Sequence, residues 1–245
     1  MTAIIPAAGK GTRFLPVTRA VPKEMLPVGA KPAIQLIVEE AIDAGADDVV
    51  IVISEEKEII RRYFEGDAEL SAKIRFVYQH EQKGLGHAVL QAGGSRDPGP
   101  VLVLLGDALV SGSNPSRAMV ELSRARGGAS VVGLERVPPE KVSRYGIVKA
   151  DAEMKISDLV EKPRPEAAPS DLAIAGRYLL DGAVFDLLAT QEAGHGGEIQ
   201  LTDSIRRLLA DKAVYGYIYP GRRQDIGNPQ GYFKALEAFN GNGQS

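Results

Sequence analysis

The sequence contains no cysteine, which excludes disulfides, thiolate metal sites and a cysteine nucleophile and suits a reducing compartment. Its three histidines, His80, His87 and His195, show no metal-ligand spacing and are read as non-catalytic. Neither sign of charge dominates: 29 lysines and arginines stand against 32 aspartates and glutamates, interspersed, for a net charge of −3. There is thus no basic stripe for nucleic acid or for an acidic membrane surface, and a nucleotide would be a substrate rather than a polymer. No apolar run reaches the ~18 residues of a membrane span, and no basic segment leads into a long apolar stretch at the start, so a cytoplasmic protein is expected.

What is present is an alternation of apolar runs and amphipathic segments, and 245 residues can bury a large core in one α/β domain. Ala3-Ile4-Ile5 reads as a central strand. A helix follows from Pro32 to Gly45, then strand Val49–Ile53, a helix around Glu55 to Phe64, and strand Ile74–Tyr78. This rhythm predicts right-handed crossovers and a mostly parallel sheet with helices on both faces, binding its ligand beyond the carboxyl ends of the strands. A helix to about Ala92, strand Val101–Leu105, a helix from Pro115 to Arg126 and strand Ser130–Leu134 complete a first half, residues 1–135. Beyond it, Tyr145–Lys149 and Ile156–Val160 flank a polar turn and predict a hairpin. A Pro/Ala-rich loop, 163–171, is a candidate lid. Strand Gly176–Leu180, helices from Gly182 and Leu201, strand Val214–Tyr219 and a last helix with Tyr232, Phe233, Leu236 and Phe239 on one side fill a second half, 136–240. Residues 241–245 should fray.

The loop after the first strand, Ala7-Ala8-Gly9-Lys10-Gly11-Thr12-Arg13, stays irregular through Pro22-Lys23-Glu24. Glycines at 9 and 11 let backbone N–H groups approach phosphate oxygens, Arg13 adds a planar fork and Lys23 a point charge, so the stretch reads as a triphosphate clamp. It is neither a Walker loop nor a dinucleotide fingerprint, because Ile4, Gly11 and Phe14 stand where those patterns need other residues. An ordinary glycine turn with two solvated cations is the alternative. Gln79, ahead of Gly84 and Gly86, offers the donor and acceptor that reading a pyrimidine edge requires, or else marks a softened strand-to-helix turn. Asp107 ends a strand on the clamp side, where a hard oxygen ligand for Mg²⁺ is wanted; alone it would serve equally as a turn opener. Glu161 can accept two sugar hydroxyls and Lys162 can reach a phosphomonoester, though adjacent Glu and Lys are also common on surfaces. Thr202 and Asp203 read as first-turn residues of a helix whose buried face is Leu201, Ile205, Leu208 and Leu209.

Taken together, Gly9-Lys10-Gly11-Thr12-Arg13, Pro22-Lys23, Tyr145-Gly146-Ile147-Val148, Glu161-Lys162-Pro163 and Ala173–Tyr178 resemble the motifs of the sugar-1-phosphate nucleotidylyltransferases. Lys83-Gly84-Leu85-Gly86-His87-Ala88, Lys23-Glu24-Met25 and Glu198–Asp203 are similar to the bacterial UTP–glucose-1-phosphate uridylyltransferase branch rather than to thymidylyltransferases. Gly106 departs from the proline many relatives carry before the aspartate.

The resemblance implies a Rossmann-like three-layer fold with a mixed, mostly parallel central sheet and a sugar-binding hairpin region. It also implies uridylyl transfer from UTP to α-D-glucose 1-phosphate with Mg²⁺ on Asp107 and Asp225. Arg13 and Lys23 would hold the triphosphate, Lys162 the sugar phosphate. Ala8, Gly9, Gly11, Thr12, Glu24, Gln79 and Gly84 would surround the nucleotide, and Gly146, Glu161 and Gly176 the glucose. A homo-oligomer, dimer or tetramer, is implied, although the chain is shorter than typical members. Preference for dTTP, or a non-catalytic nucleotide-sugar sensor, stays open at this point. Loss of Asp107 or Arg13 is expected to cost turnover while leaving the thermal transition nearly unchanged.

Overall fold

A computed structural model describes residues 1–93 and 99–240; the expected fraying of 241–245 lies outside the described residues. The chain opens with β1 (Thr2–Pro6), whose Ala3, Ile4 and Ile5 are fully buried. The segment after it is more regular than the sequence suggested, with 3-10 turns at Thr12–Phe14, Val17–Arg19 and Lys23–Met25 and a small ribbon of β2 (Pro27–Val28) and β3 (Lys31–Pro32). Next comes α1 (Ala33–Asp43), with Pro32 extended just ahead of it. It stops where Gly45 takes φ +96°: the Gly45 N–H donates to the Ile42 carbonyl (2.9 Å) and the Ala46 N–H to Ala41 (3.0 Å), closing two of the four orphan carbonyls of the last turn.

Then follow β4 (Asp48–Ile53), α2 (Glu58–Glu65), α3 (Ala68–Ser71), β5 (Ile74–Tyr78), α4 (Leu85–Ala92), β6 (Val101–Leu104) and β7 (Ala108–Ser111). Asn114 caps α5 (Pro115–Ala125) by accepting from the Arg117 N–H at 2.9 Å, and Pro115 opens its first turn. The rest is β8 (Ser130–Arg136), β9 (Gly146–Ala150), β10 (Ile156–Glu161), β11 (Leu172–Leu180), α6 (Val184–Ala189), α7 (Leu201–Leu208), β12 (Val214–Ile218), β13 (Arg222–Asp225) and α8 (Pro229–Asn240). The 163–171 loop between β10 and β11 carries one 3-10 turn, Pro165–Ala167.

The main sheet is mixed. Strands β5, β4, β1 and β6 lie side by side and parallel, while β11 runs antiparallel to β6, β8 and β9; the β9–β10 hairpin forms the far edge and β12 pairs in parallel with β8. The register of β11 shifts between Ile174 and Tyr178, where Gly176 takes φ +78°, a bulge beside the cleft. Alternate strand residues enter opposite layers. Ala3, Ile5, Val49 and Ile51 pack with Ile34 and Ile37 of α1, Phe64 of α2 and Met119 of α5; Ile4, Val50 and Val52 pack with Val89 of α4, Leu188 of α6 and Ile205 of α7. One expectation fails: on α8 the inward residues are Tyr232, Ala235 and Phe239, and Phe233 is 61% exposed. The spacing of three and four puts 232, 235 and 239 on one stripe and leaves 233 off it.

Candidate active site

The order of strands reverses between β1 and β6, and a crevice opens beyond their carboxyl ends. Each strand leaves there by a loop, the clamp after β1 and Gly106-Asp107 after β6. The Gly106 N–H donates to the Pro6 carbonyl at 3.2 Å, and a Cβ on Gly106 would stand 2.7 Å from that oxygen, so the two exits run against each other. The crevice has two lobes, of about 330 Å³ and about 690 Å³, that share Leu85, Leu105, Asp107 and Glu198. Asp107 is therefore on the wall of both.

The smaller lobe is lined by Ala8, Gly9, Lys23, Glu24, Gln79 and Gly84 among others. The amides of Ala8, Gly9, Lys10 and Gly11 donate to no acceptor among the described residues, leaving a row of N–H groups suited to an anion. Gly11 and Thr12 are not on the walls of either lobe. Gly11 instead shapes the loop: it has φ +64°, and its carbonyl accepts from the Thr18 hydroxyl at 2.9 Å. Glu24, expected at the nucleotide, is on the wall of this lobe with both its oxygens accepting from buried Lys57 (2.9 and 2.8 Å), whose ammonium also donates to the Ala7 carbonyl at 2.6 Å. Burial raises the Glu24 acid and lowers Lys57, each opposed by the attraction of the other. Lys57 thereby anchors the clamp's first residue, a part the sequence did not reveal. Gln82, also missed, ties the loop after β5 to the clamp by donating to the Ala8 carbonyl at 2.9 Å.

Lys23 is buried and donates to Asp107 Oδ2 at 2.5 Å. Burial disfavours both charges, but their mutual attraction outweighs it: Lys23 titrates above its ordinary range and Asp107 below. The second carboxylate reaches the same spot by a route the sequence did not show. It is not the main sheet that delivers it but a separate ribbon, β13 against β7, with Asp225 opposite Ala108 and the Ile226 N–H donating to the Asp107 carbonyl at 2.9 Å. A Cβ added at Gly227 would lie 2.7 Å from an Arg13 guanidinium nitrogen, 2.8 Å from Asp225 Oδ1 and 3.0 Å from Asp107 Oδ2. The three groups thus converge on one point, and Arg13 also approaches Asp225 Oδ2 at 3.8 Å. Among the described residues no third His, Cys, Asp or Glu joins the two acids. Two carboxylates with substrate phosphates completing the shell are the donor set Mg²⁺ favours.

In the larger lobe, β9 and β10 set Gly146 opposite Glu161. A Cβ on Gly146 would press on Glu161 Oε2 at 3.1 Å and on the Thr202 hydroxyl at 2.9 Å, and that hydroxyl donates to Glu161 Oε2 at 2.6 Å. Thr202 is therefore more than a first-turn residue: it fixes the carboxylate and leaves Oε1 to the cleft, 3.5 Å from the Lys162 ammonium. The neighbouring Glu198-Ile199 serves the other lobe, where the Ile199 N–H donates to Lys83 O (2.7 Å) and the Gly86 N–H to Ile199 O (2.8 Å). Gly176, Tyr178 and Arg223 complete the wall. Tyr178 and Arg223 went unremarked in the sequence because a tyrosine in an apolar strand and an arginine in a polar run carry no distinctive spacing. Arg223 is held by Glu135 through Nε at 2.8 Å and stacks on the Tyr145 ring.

Lys162 has φ +45°, which a side chain rarely adopts. Its N–H donates to the Tyr145 carbonyl at 3.0 Å, and this conformation sends the ammonium into the lobe. Left-handed backbone costs a non-glycine residue about 1–2 kcal/mol. Lys162→Gly is hence expected to unfold at a higher temperature than Lys162→Ala, while both lose turnover by about 10²-fold or more. A scan of the two thermal midpoints checks this; an alanine variant at least as stable as the glycine one contradicts it.

The cleft can hold two polyanions end to end, with cations Arg13, Lys23 and Lys162 along it and two acids where the lobes meet. The sequence profile of the nucleotidyl transferase family matches residues 2–241. The chain belongs to that family. It is 44% identical to UTP–glucose-1-phosphate uridylyltransferase 2 of Staphylococcus saprophyticus, over 95% of this chain and 89% of the relative. It is 42% identical to UTP–glucose-1-phosphate uridylyltransferase YngB of Bacillus subtilis, over 95% and 87%. Among solved structures, UDP-glucose pyrophosphorylase complexed with UDP-glucose superimposes with a TM-score of 0.89 at 36% identity, covering 98% of each chain. Among the described residues no helix is long and apolar enough to cross a membrane.

Proposed function

We propose that this nucleotidyl transferase makes UDP-glucose and pyrophosphate from UTP and α-D-glucose 1-phosphate. The observation that carries the reading is the two-lobed cleft with Asp107 on the wall of both lobes. The relatives are named for uridylyl rather than thymidylyl transfer, which favours UTP as the donor. In this reading the whole of residues 1–240 acts as one nucleotidylyltransferase domain that assembles as a cytoplasmic homo-oligomer.

The nucleophile is a phosphate oxygen of the sugar phosphate, and the phosphomonoester's second pKa is near ~6, so it is ionised at neutral pH and needs no general base. The barrier lies in bringing two anionic esters together, so catalysis is positioning and charge stabilisation. Gln79 and Gly84 hold the uracil, and the amides of residues 8–11 with Arg13 hold the triphosphate. Arg13 stays on the β- and γ-phosphates as they leave as pyrophosphate. Glu161, fixed by Thr202, orients the glucose hydroxyls, and Lys162 guides the sugar phosphate in line. Asp107 and Asp225 would hold Mg²⁺, which would supply Lewis-acid charge withdrawal at the α-phosphate. Lys23 exchanges Asp107 for the triphosphate as the nucleotide arrives.

Pyrophosphate release measured for four NTPs against several hexose 1-phosphates, with Mg²⁺, tests the reading; no release with UTP and glucose 1-phosphate sinks it. The same assay carries a pH prediction. Below about pH 6, kcat/KM for glucose 1-phosphate is expected to fall tenfold per unit with the substrate's own ionisation. A limb that shifts when a cleft side chain is replaced would instead reveal an enzyme base.

A further inference from the structure

His87 has no part in the chemistry above, yet it stands directly behind the residue assigned to the base. Gln79 follows β5, is buried, and lines the smaller lobe. Its Nε2 lies 2.9 Å from Nδ1 of His87 and 3.3 Å from the Gly84 carbonyl oxygen. An amide nitrogen carries two hydrogens, and both neighbours can accept when the imidazole proton is on Nε2. Turning the amide over would set Oε1 against the Gly84 carbonyl, acceptor on acceptor, and forfeit that bond whichever ring nitrogen of His87 carries the proton. Nitrogen inward and oxygen outward is therefore the orientation its surroundings hold. Among the described residues no protein donor reaches Oε1, and no buried side-chain polar atom lacks a partner, so this oxygen opens to the lobe.

The far side of the ring sustains the same polarity. His87 lies in the first turn of α4, and its Nε2 is 3.2 Å from Nε2 of Gln91, one turn along. With the proton on His87 Nε2, a half-turn of the exposed Gln91 amide brings its oxygen there in place of the nitrogen, since two N–H donors cannot face each other. Gln91, His87 and Gln79 then form a relay of hydrogen bonds with one direction, ending in a fixed acceptor in the cleft.

We infer that His87 is a positioning residue for base choice, presenting Gln79 Oε1 as an acceptor that takes the N3–H of uracil and opposes the lone pair of cytosine N3. The inference rests on the reading of this lobe as the base site. The test is kcat/KM for UTP and for CTP, with glucose 1-phosphate and Mg²⁺, in the wild type and in His87→Phe, which keeps the ring's bulk without an acceptor. The UTP:CTP ratio is expected to fall roughly tenfold in the phenylalanine variant, the size of one lost hydrogen bond, mainly through KM for UTP. His87→Gln, whose carbonyl can accept from Gln79, is expected to restore most of the ratio. In a Gln79→Leu background, His87→Phe should change the ratio no further. If His87→Phe does not fold, His87→Leu carries the same comparison. A ratio that stays at the wild-type value without an acceptor at 87, while Gln79→Leu abolishes it, overturns the inference and leaves the base site standing. A ratio unmoved by Gln79→Leu overturns both, and a wild type inactive with every nucleotide removes the functional reading itself.

Discussion

Asp107→Ala is expected to lower kcat by about 10³-fold or more and also to lower the thermal midpoint, whereas Arg13→Ala should lower kcat alone. The difference lies in what each side chain holds in the resting protein. Arg13 is 62% exposed and its ion pair to Asp225 is a loose 3.8 Å, so solvent replaces what is lost. Asp107 is the close partner of Lys23, whose side chain is only 10% exposed, and its removal leaves that buried ammonium facing the more distant Glu24 (4.0 Å), already held by Lys57, at a cost of about 1–3 kcal/mol. The sequence alone suggested no stability penalty at either position, and the Lys23–Asp107 pair corrects that for Asp107. Lys23→Met with Asp107→Ala should recover the midpoint but not the turnover. The pH dependence of the pair follows from its shifts. Asp107 is depressed, so its contribution is present above the ordinary 3.8 and lost only as pH falls through its lower value. Lys23 is raised, so its contribution is complete below 10.5 and lost as pH rises beyond that. Thermal scans from acid to alkaline pH should show the Asp107→Ala deficit constant across the neutral range; a deficit that vanishes near neutrality would count against the pair.

Most of the scaffold was legible because buried strands and amphipathic helices advertise themselves by periodicity. Val49 to Ile53 and Val101 to Leu104 are apolar runs too short for a helix, and α1 carries its stop signal in Gly45. Arg13, Lys23 and Asp107 were legible as candidates because they stand on loops at strand ends, which the fold brings to one crevice. The ribbon that brings Asp225 into place was not: Arg222-Arg223-Gln224-Asp225 has no apolar alternation, since its pairing with β7 rests on backbone hydrogen bonds. Thr202 hid inside a helical pattern that explained it well enough as a first-turn residue. Lys57 and Glu24, both buried, were invisible as a pair because charged residues 33 apart say nothing of contact until the chain is folded.

The largest stability effect is expected at a residue the sequence passed over as part of a strand. Arg177 is fully buried on β11 and its guanidinium forks onto Glu40 of α1, Nε to Oε1 at 2.8 Å and Nη2 to Oε2 at 2.7 Å. Burial opposes its charge, but Glu40 outweighs that and holds Arg177 above the ordinary arginine range. It also donates to the carbonyls of Gly176 (3.0 Å) and Ala108 (2.7 Å), the first on the β11 bulge and the second next to Asp107. Arg177→Met should therefore cost about 3–5 kcal/mol in urea unfolding, because Glu40 is left as a nearly buried anion without its cation. Arg177→Met with Glu40→Met should regain most of that, since a well-packed apolar pair is often as stable as the ions it replaces. A single variant as stable as the wild type would mean that water reaches Glu40. Turnover in the double variant decides what the brace is for. Full stability with low kcat would mean that the two carbonyls, once released, no longer hold Asp107 where the lobes meet and Gly176 on the wall of the larger lobe. Full stability with normal kcat would confine Arg177 to joining β11 to α1.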